Sequence, residues 1–275
     1  MSRLRSLVRR RFAAVLATLA LAAGVLPSSA AAATVQTATS GNWAGYVASG
    51  KSFSSVTGSW VVSTAKPDSD GYSATWVGLG GASDDSSALE QVGTQSDYVD
   101  GRATYTAWYE LVPKAAVTLK LKVHPGDHIT AKVSVAGTTV TVSIADTTTG
   151  RSTTKVLHMA APDTSSAEWI AEAPSVQTGD GYQVVPLADF GKVTFTHATA
   201  TADGHTGPIT DSAWTAERID LVASASGYGP PVATGATAST LAAGGSAFSV
   251  SWRQSGAPTG AYGYGPWGHG HGPGL

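Results

Sequence analysis

The fold is decided by the stretch Ile129-Thr-Ala-Lys-Val-Ser-Val-Ala-Gly-Thr-Thr-Val-Thr-Val-Ser-Ile144, in which apolar and polar residues alternate on both sides of Ala136-Gly137. This period of two is typical of β-strands that bury one face and expose the other. The run Lys120-Leu-Lys-Val123 shows the same alternation, and turn residues such as His124-Pro-Gly-Asp127 and Thr149-Gly150 separate the runs. Each run is therefore predicted to form a strand.

The rest of the chain body has the same character. Val, Thr, Tyr and Trp are frequent in it, and no stretch after the N-terminal leader sustains a helical period. Many short strands divided by turns favour a sandwich or barrel of antiparallel sheets. The body has about 220 residues, a length that one undivided β-sandwich often reaches. We expect an all-β fold in a single domain over residues 34–254.

The N-terminus has the features of a secretory signal peptide over residues 1–33. It begins with five arginines, continues with an apolar run over residues 12–26, and offers Ala-x-Ala cleavage sites between Ala30 and Ala33. The apolar run is shorter than the roughly 20 residues of a bilayer span. We therefore predict a secreted, extracellular protein without a membrane segment after cleavage; an uncleaved N-terminal anchor is the alternative interpretation.

Without this leader the chain is acidic and contains no cysteine. Five of its 17 basic residues lie in the leader, which has no acid, so 12 basic residues remain against 19 acidic ones, a net charge of −7. This balance excludes the basic footprint of a nucleic-acid-binding protein. The lack of cysteine excludes disulfides, a thiol nucleophile and cysteine–zinc sites. Stability must then come from the hydrophobic core.

The C-terminal residues 255–275 differ from the body because most of them are Gly, Pro, Tyr or His and almost none is aliphatic. Such a segment has too little apolar surface to offset its ordering entropy, so a disordered tail is predicted. Its Gly268-His-Gly-His-Gly272 offers only two histidines, which is a poor metal site. We expect neither a metal nor another cofactor.

The common hydrolase motifs are absent from the sequence. It contains no Gly-x-Ser-x-Gly, no His-Glu-x-x-His, and no Asp-Thr-Gly or Asp-Ser-Gly. Instead, several strands carry polar residues among apolar and aromatic ones. Because successive side chains of a strand point to opposite faces, Glu90 and Gln91 cannot both line one cleft, whereas Glu168, Ile170 and Glu172 share a face.

Seven segments follow one another along the chain: Ser40-Gly-Asn-Trp-Ala-Gly-Tyr46, Ser73-Ala-Thr-Trp-Val-Gly78, Leu89-Glu-Gln-Val-Gly93, Ala107-Trp-Tyr-Glu110, Gly126-Asp127, Ser166-Ala-Glu-Trp-Ile-Ala-Glu172 and Leu187-Ala-Asp-Phe-Gly-Lys-Val-Thr-Phe195. These segments resemble those of the glutamic peptidases, or eqolisins, and are similar to bacterial members of that family. The resemblance implies a sandwich of two curved antiparallel sheets, of jelly-roll or concanavalin-like type, with a substrate cleft across one face. It also implies that Gln91 and Glu168 are catalytic and that Trp43, Trp76 and Glu110 line the cleft.

The predicted function is that of a secreted, monomeric acid endopeptidase that cleaves polypeptides without a metal. Two alternatives fit the residues alone. A sandwich-fold glycoside hydrolase could use Glu110 and Glu168 as its carboxyl pair, which a retaining enzyme places about 5–5.5 Å apart. A secreted carbohydrate-binding module could use the tryptophans as a stacking platform.

Overall fold

The structure is a computed structural model that describes residues 35–67, 70–83, 85–178, 181–222 and 233–255. These residues belong to one structural unit, residues 32–275. The predicted signal peptide, and the predicted tail after residue 255, lie outside the described residues.

The described residues form strands and one short 3-10 turn at Ala243–Gly245, and none of them forms an α-helix. The strands are β1 (Gln36–Ser40), β2 (Trp43–Ser49), β3 (Phe53–Val61), β4 (Ala74–Gly80), β5 (Leu89–Val99), β6 (Arg102–Val112), β7 (Val117–Thr118), β8 (His128–Ala136), β9 (Thr139–Asp146), β10 (Arg151–His158), β11 (Ser166–Glu172), β12 (Ser175–Thr178), β13 (Gly181–Val184), β14 (Lys192–Ala202), β15 (His205–Pro208), β16 (Thr215–Val222), β17 (Ala233–Ala238) and β18 (Phe248–Ser255).

Two large sheets, antiparallel except where β1 pairs in parallel with β16, share strand β14. The first has the order β14-β18-β17-β16-β2-β11-β4-β5-β6-β7, and the second has the order β10-β9-β8-β3-β14. The first half of β14, Lys192–Phe195, pairs with β18, and the second half pairs with β3. The register shifts between Thr196 and Thr199, where His197 has a φ of 52°. A bulge of this kind lets one strand pass from one sheet to the other.

The hydrophobic core lies between the two sheets. Val77 and Val92 of the first sheet belong to the same buried cluster as Val133 and Ile144 of the second. The indole of Trp169, on β11, donates a hydrogen bond of 2.8 Å to the backbone oxygen of Thr57 on β3, so a polar contact also joins the layers. The predicted all-β sandwich is thereby confirmed, and the alternation read over residues 129–144 is that of β8 and β9, where every second side chain is buried.

The strand predicted over Lys120–Val123 is wrong. Strand β7 ends at Thr118, and residues 120–123 belong to no strand. The side chains still alternate, because Leu119, Leu121 and Val123 are buried while the two lysines between them are exposed. Alternating burial requires only an extended chain packed on the core, and it does not require a neighbouring strand.

Candidate active site

One row across the first sheet contains both predicted catalytic residues. Glu168 on β11 lies opposite Gly78 on β4, Gly78 lies opposite Gln91 on β5, and Gln91 lies opposite Glu110 on β6. Directly opposite residues of antiparallel strands project from the same face of the sheet. With strands about 4.8 Å apart, the Cα atoms of Glu168 and Gln91 are separated by roughly 10 Å, and only a glycine lies between them.

The side-chain amide of Gln91 is held in a fixed orientation by Glu110. Its Nε2 atom donates a hydrogen bond of 2.7 Å to Oε2 of Glu110. An amide nitrogen has two N–H groups, so the second remains available for another acceptor. The Oε1 atom of Gln91 accepts no hydrogen bond from the described residues. Glu110, predicted to line the cleft, therefore also contacts the predicted catalytic amide.

The Glu168 carboxyl is buried and weakly solvated. It is 0% exposed, as is Gln91, and neither of its oxygens accepts a hydrogen bond of standard geometry from the described residues. Burial raises the pKa of Glu168 well above its ordinary value, because desolvation penalises the charged form. The Ser166 hydroxyl lowers this pKa, and the nearby charges of Asp163 and Glu90 raise it further. Such a carboxyl, once ionised, is a stronger base than a free glutamate.

Aromatic and aliphatic side chains surround these polar groups on the same face. Trp43 and Trp76 meet edge to face, with ring centroids 5.1 Å apart. They belong to a second apolar cluster, separate from the core between the sheets, together with Trp108 and Ile170. The structure therefore brings all five predicted site residues to one face of the first sheet.

Sequence reasoning left one further carboxyl on this face without a role. Glu172 is 0% exposed, its Oε2 accepts a hydrogen bond of 2.7 Å from Trp76 Nε1, and its Oε1 accepts one of 3.1 Å from Asn42 Nδ2. Burial raises the pKa of Glu172 well above its usual range, and the hydrogen bond from Trp76 acts in the opposite direction. The sequence signal that could have found Glu172 is its spacing of two from Ile170 and of four from Glu168, since this spacing places all three side chains on one face.

Glu90 points away from this face, as the alternation predicts. It lies opposite Leu79, which belongs to the core between the sheets, and its Oε1 accepts a hydrogen bond of 3.2 Å from the backbone N–H of Asp163. Burial raises the pKa of Glu90 to about 8. At the far end of β5, burial likewise raises the pKa of Asp97 to about 7.

These two carboxyls make the stability of the fold depend on pH. In the native state Glu90 and Asp97 keep their protons up to about pH 8 and 7, whereas in the unfolded chain they release them near their model values of 4.5 and 3.8. The native state binds more protons in this window, so the free energy of unfolding falls as the pH rises through it. One pKa unit corresponds to about 1.4 kcal/mol, so we expect a loss of several kcal/mol.

Urea unfolding at pH values from 4 to 8 measures this dependence, and the double variant Glu90→Gln/Asp97→Asn should reduce it, leaving the part that the raised pKa values of Glu168 and Glu172 contribute. Below this pH window the dependence reverses, and the free energy of unfolding falls as the pH falls. For Asp146, burial would raise the pKa, but hydrogen bonds from Thr149 and Thr148 outweigh it and lower the pKa. These hydrogen bonds stabilise the fold while Asp146 is ionised, and their contribution is lost as Asp146 is protonated in stronger acid. A wild-type protein that becomes more stable from pH 5 to pH 8 would contradict the prediction.

Comparison with known proteins decides among the three functions that the residues left open. The sequence profile of the peptidase A4 family matches residues 41–246, which is most of the chain. The chain belongs to the peptidase A4 family. This confirms the resemblance to the glutamic peptidases and the predicted class of enzyme, an endopeptidase, and it leaves the glycoside hydrolase and carbohydrate-binding alternatives without support.

Two relatives and one solved structure illustrate the relationship within the peptidase A4 family. Aspergillopepsin-2 of Aspergillus niger is 34% identical in an alignment 197 residues long, and the match covers 62% of this chain and 67% of that protein. Scytalidopepsin B of Scytalidium lignicola is 28% identical over 179 residues, with the same two shares of 62% and 67%. The crystal structure of scytalido-glutamic peptidase with a transition-state analogue inhibitor aligns with a TM-score of 0.64 at 25% identity, and covers 78% of this chain and 98% of that one.

Within the described residues we find no helix with the length and hydropathy of a membrane span.

Proposed function

We propose that this member of the peptidase A4 family hydrolyses peptide bonds with Glu168 as general base and acid and Gln91 as oxyanion donor. The observation that carries the proposal is the cross-strand row in which Gly78 alone separates the two side chains. A carboxyl and an amide on either side of this glycine, on one face of the sheet, can act on the same peptide bond and the same water molecule. This pair provides the groups that amide hydrolysis needs.

The proposed reaction has two steps. Ionised Glu168 takes a proton from a water molecule while the water oxygen attacks the carbonyl carbon of the substrate, and the second N–H of Gln91 donates to the oxyanion that forms. The protonated Glu168 then gives its proton to the departing nitrogen as the C–N bond breaks. A single positioned carboxyl can serve as base and then as acid, and the scheme requires neither a metal nor a cofactor.

The two limits of the pH profile have separate causes in this proposal. Activity requires ionised Glu168, and burial raises the pKa of this group, so the rate should rise with pH through the acid range. At higher pH the deprotonation of Glu90, whose pKa burial raises to about 8, destabilises the fold. The enzyme should therefore act best in mildly acidic solution.

The substrate is proposed to be an unfolded polypeptide bound across the face that carries Trp43, Trp76 and Glu110. The two indoles, which are buried and packed edge to face, fix the shape of this face, and Glu110 fixes the Gln91 amide. The proposal also includes secretion after cleavage of the signal peptide over residues 1–33, and a monomeric state in solution.

Assay of the purified protein on an unfolded protein substrate tests the reaction class. We expect peptide hydrolysis within about pH 3 to 7, rising toward the upper part of this range because the pKa of Glu168 lies well above the ordinary value of a glutamate, and no loss of rate with EDTA or pepstatin. A polysaccharide is the control substrate and should stay intact. Loss of all hydrolysis in EDTA, or cleavage of the polysaccharide alone, would overturn the proposal.

A further inference from the structure

The indole of Trp76 covers the glycine that separates the two proposed catalytic residues. A Cβ atom at position 78 would lie 2.9 Å from Cζ3 of Trp76 and 3.1 Å from the backbone oxygen of Glu90. Trp76 precedes Gly78 by two residues on the same strand, so its ring extends along the sheet face over the gap in the row. The position of this ring therefore determines the shape of the space between Glu168 and Gln91.

Glu172 holds this ring by its polar edge. The 2.7 Å bond from Trp76 Nε1 to Oε2 of Glu172 is a hydrogen bond between two fully buried groups. A hydrogen bond between buried groups, in an environment of low dielectric constant, is stronger than the same bond in water. The ring of Trp76 is 0% exposed and packs edge to face on Trp43, so the polar bond and the ring contact together fix its rotation.

A chain of hydrogen bonds from the first strand fixes Glu172 in turn. Asn42 Nδ2 donates to Oε1 of Glu172 at 3.1 Å, and the Ser40 hydroxyl donates to Oδ1 of Asn42 at 3.1 Å. The Ser40 oxygen accepts the backbone N–H groups of Asn42 and Trp43, at 3.2 and 3.1 Å. These contacts give a physical role to the segment Ser40-Gly-Asn-Trp43, which the proposed reaction does not use directly.

We propose that Glu172 is a positioning residue, which acts through Trp76 to set the geometry between Glu168 and Gln91. The inference rests on the proposed function of that pair. A buried carboxyl is a costly way to stabilise a fold, since a well-packed apolar group in its place is often neutral or better for stability. Its location beside the catalytic row, with both oxygens engaged by groups of the site, is explained by the orientation that it imposes.

The test measures kcat and KM of Glu172→Ala and Glu172→Gln beside those of the wild-type enzyme. Misplacement of reacting groups by about 1 Å costs about 10²-fold in rate, so Glu172→Ala should lose about that factor in kcat with little change in KM. Glu172→Gln keeps the size of the side chain and an oxygen for Trp76 Nε1, so it should recover most of kcat. A near-UV circular dichroism spectrum should change in the alanine variant and return in the glutamine variant.

Asp146→Ala is the matched control, because Asp146 is also fully buried and hydrogen-bonded but lies on β9 of the second sheet. It should lower stability without lowering kcat. Glu172→Ala with wild-type kcat, or a glutamine variant as impaired as the alanine one, would overturn the inference. If Glu168→Gln, assayed in the same series, retains turnover, the proposed function itself fails; if it is inactive while Glu172→Ala is not, only the role of Glu172 fails.

Should Glu172→Ala not fold, Trp76→Phe provides a second test, because it removes the N–H donor while the phenyl ring keeps part of the aromatic packing. We expect kcat to fall in Trp76→Phe and in Glu172→Leu, which removes both carboxyl oxygens but keeps a side chain of similar bulk, and to fall no further in the double variant, since two residues that act through one hydrogen bond are not additive. Strictly additive losses in the double variant would show that Glu172 does not act through Trp76, and would also overturn the inference.

Discussion

Replacing Glu168 with glutamine is expected to lower kcat by about 10³–10⁴-fold, near the upper end of what general acid–base catalysis contributes. The amide has the size and shape of the carboxyl, but it cannot take a proton from water or return one to the leaving nitrogen. The fold should persist, because Glu168 accepts no hydrogen bond of standard geometry from the described residues that the substitution would break. An amide also avoids the cost of burying a charge at neutral pH.

Single-turnover kinetics on a peptide substrate, with unfolding curves for each variant, measure this effect. Glu217→Gln is the matched control, because Glu217 lies in the same cross-strand row as Glu168, with Val47 between them, but on the side away from Gln91. The control should keep wild-type kcat. A folded Glu168→Gln enzyme with wild-type turnover would remove the carboxyl from the mechanism.

The strands and their faces could be predicted from local sequence. Alternation of apolar and polar residues depends only on the geometry of an extended chain, so it placed Glu90 and Gln91 on opposite faces and Glu168 with Glu172 on one face. It could not tell whether an extended segment pairs with a neighbour, because burial and pairing are separate properties. Lys120–Val123 has the burial pattern of a strand without the ladder.

The cross-strand row itself could not be read from alternation, because it depends on pairing between distant segments. Gln91 and Glu168 come together only because β4 pairs with both β5 and β11, and nothing local to either residue specifies that register. The resemblance to a known family supplied these two positions. It did not supply the function of Gly78 as the gap, or the contact between Glu172 and Trp76, since both depend on where one indole ring packs.

Replacing Gln91 with alanine is expected to lower kcat by about 10²–10³-fold, the usual cost of removing one oxyanion donor. The effect should be smaller than that of Glu168→Gln, because the proton transfers remain possible. An amide does not titrate in the working range, so the shape of the pH–rate profile should be unchanged while its height falls. A variant that altered the proton-transferring carboxyl would instead shift the acid limb of the pH–rate profile.

Gln95→Ala separates this role from a general effect of shortening a buried glutamine. Gln95 lies on the same face of β5, four residues after Gln91, and donates its hydrogen bond to Asp97 at 2.9 Å. Since it lies outside the row formed with Glu168, its removal should leave kcat near that of the wild type. If both alanine variants lost activity equally, or if Gln91→Ala kept its rate while folded, the oxyanion would have to be stabilised by another group. The row containing Glu168, Gly78 and Gln91 would then be a feature of the sheet without a catalytic role.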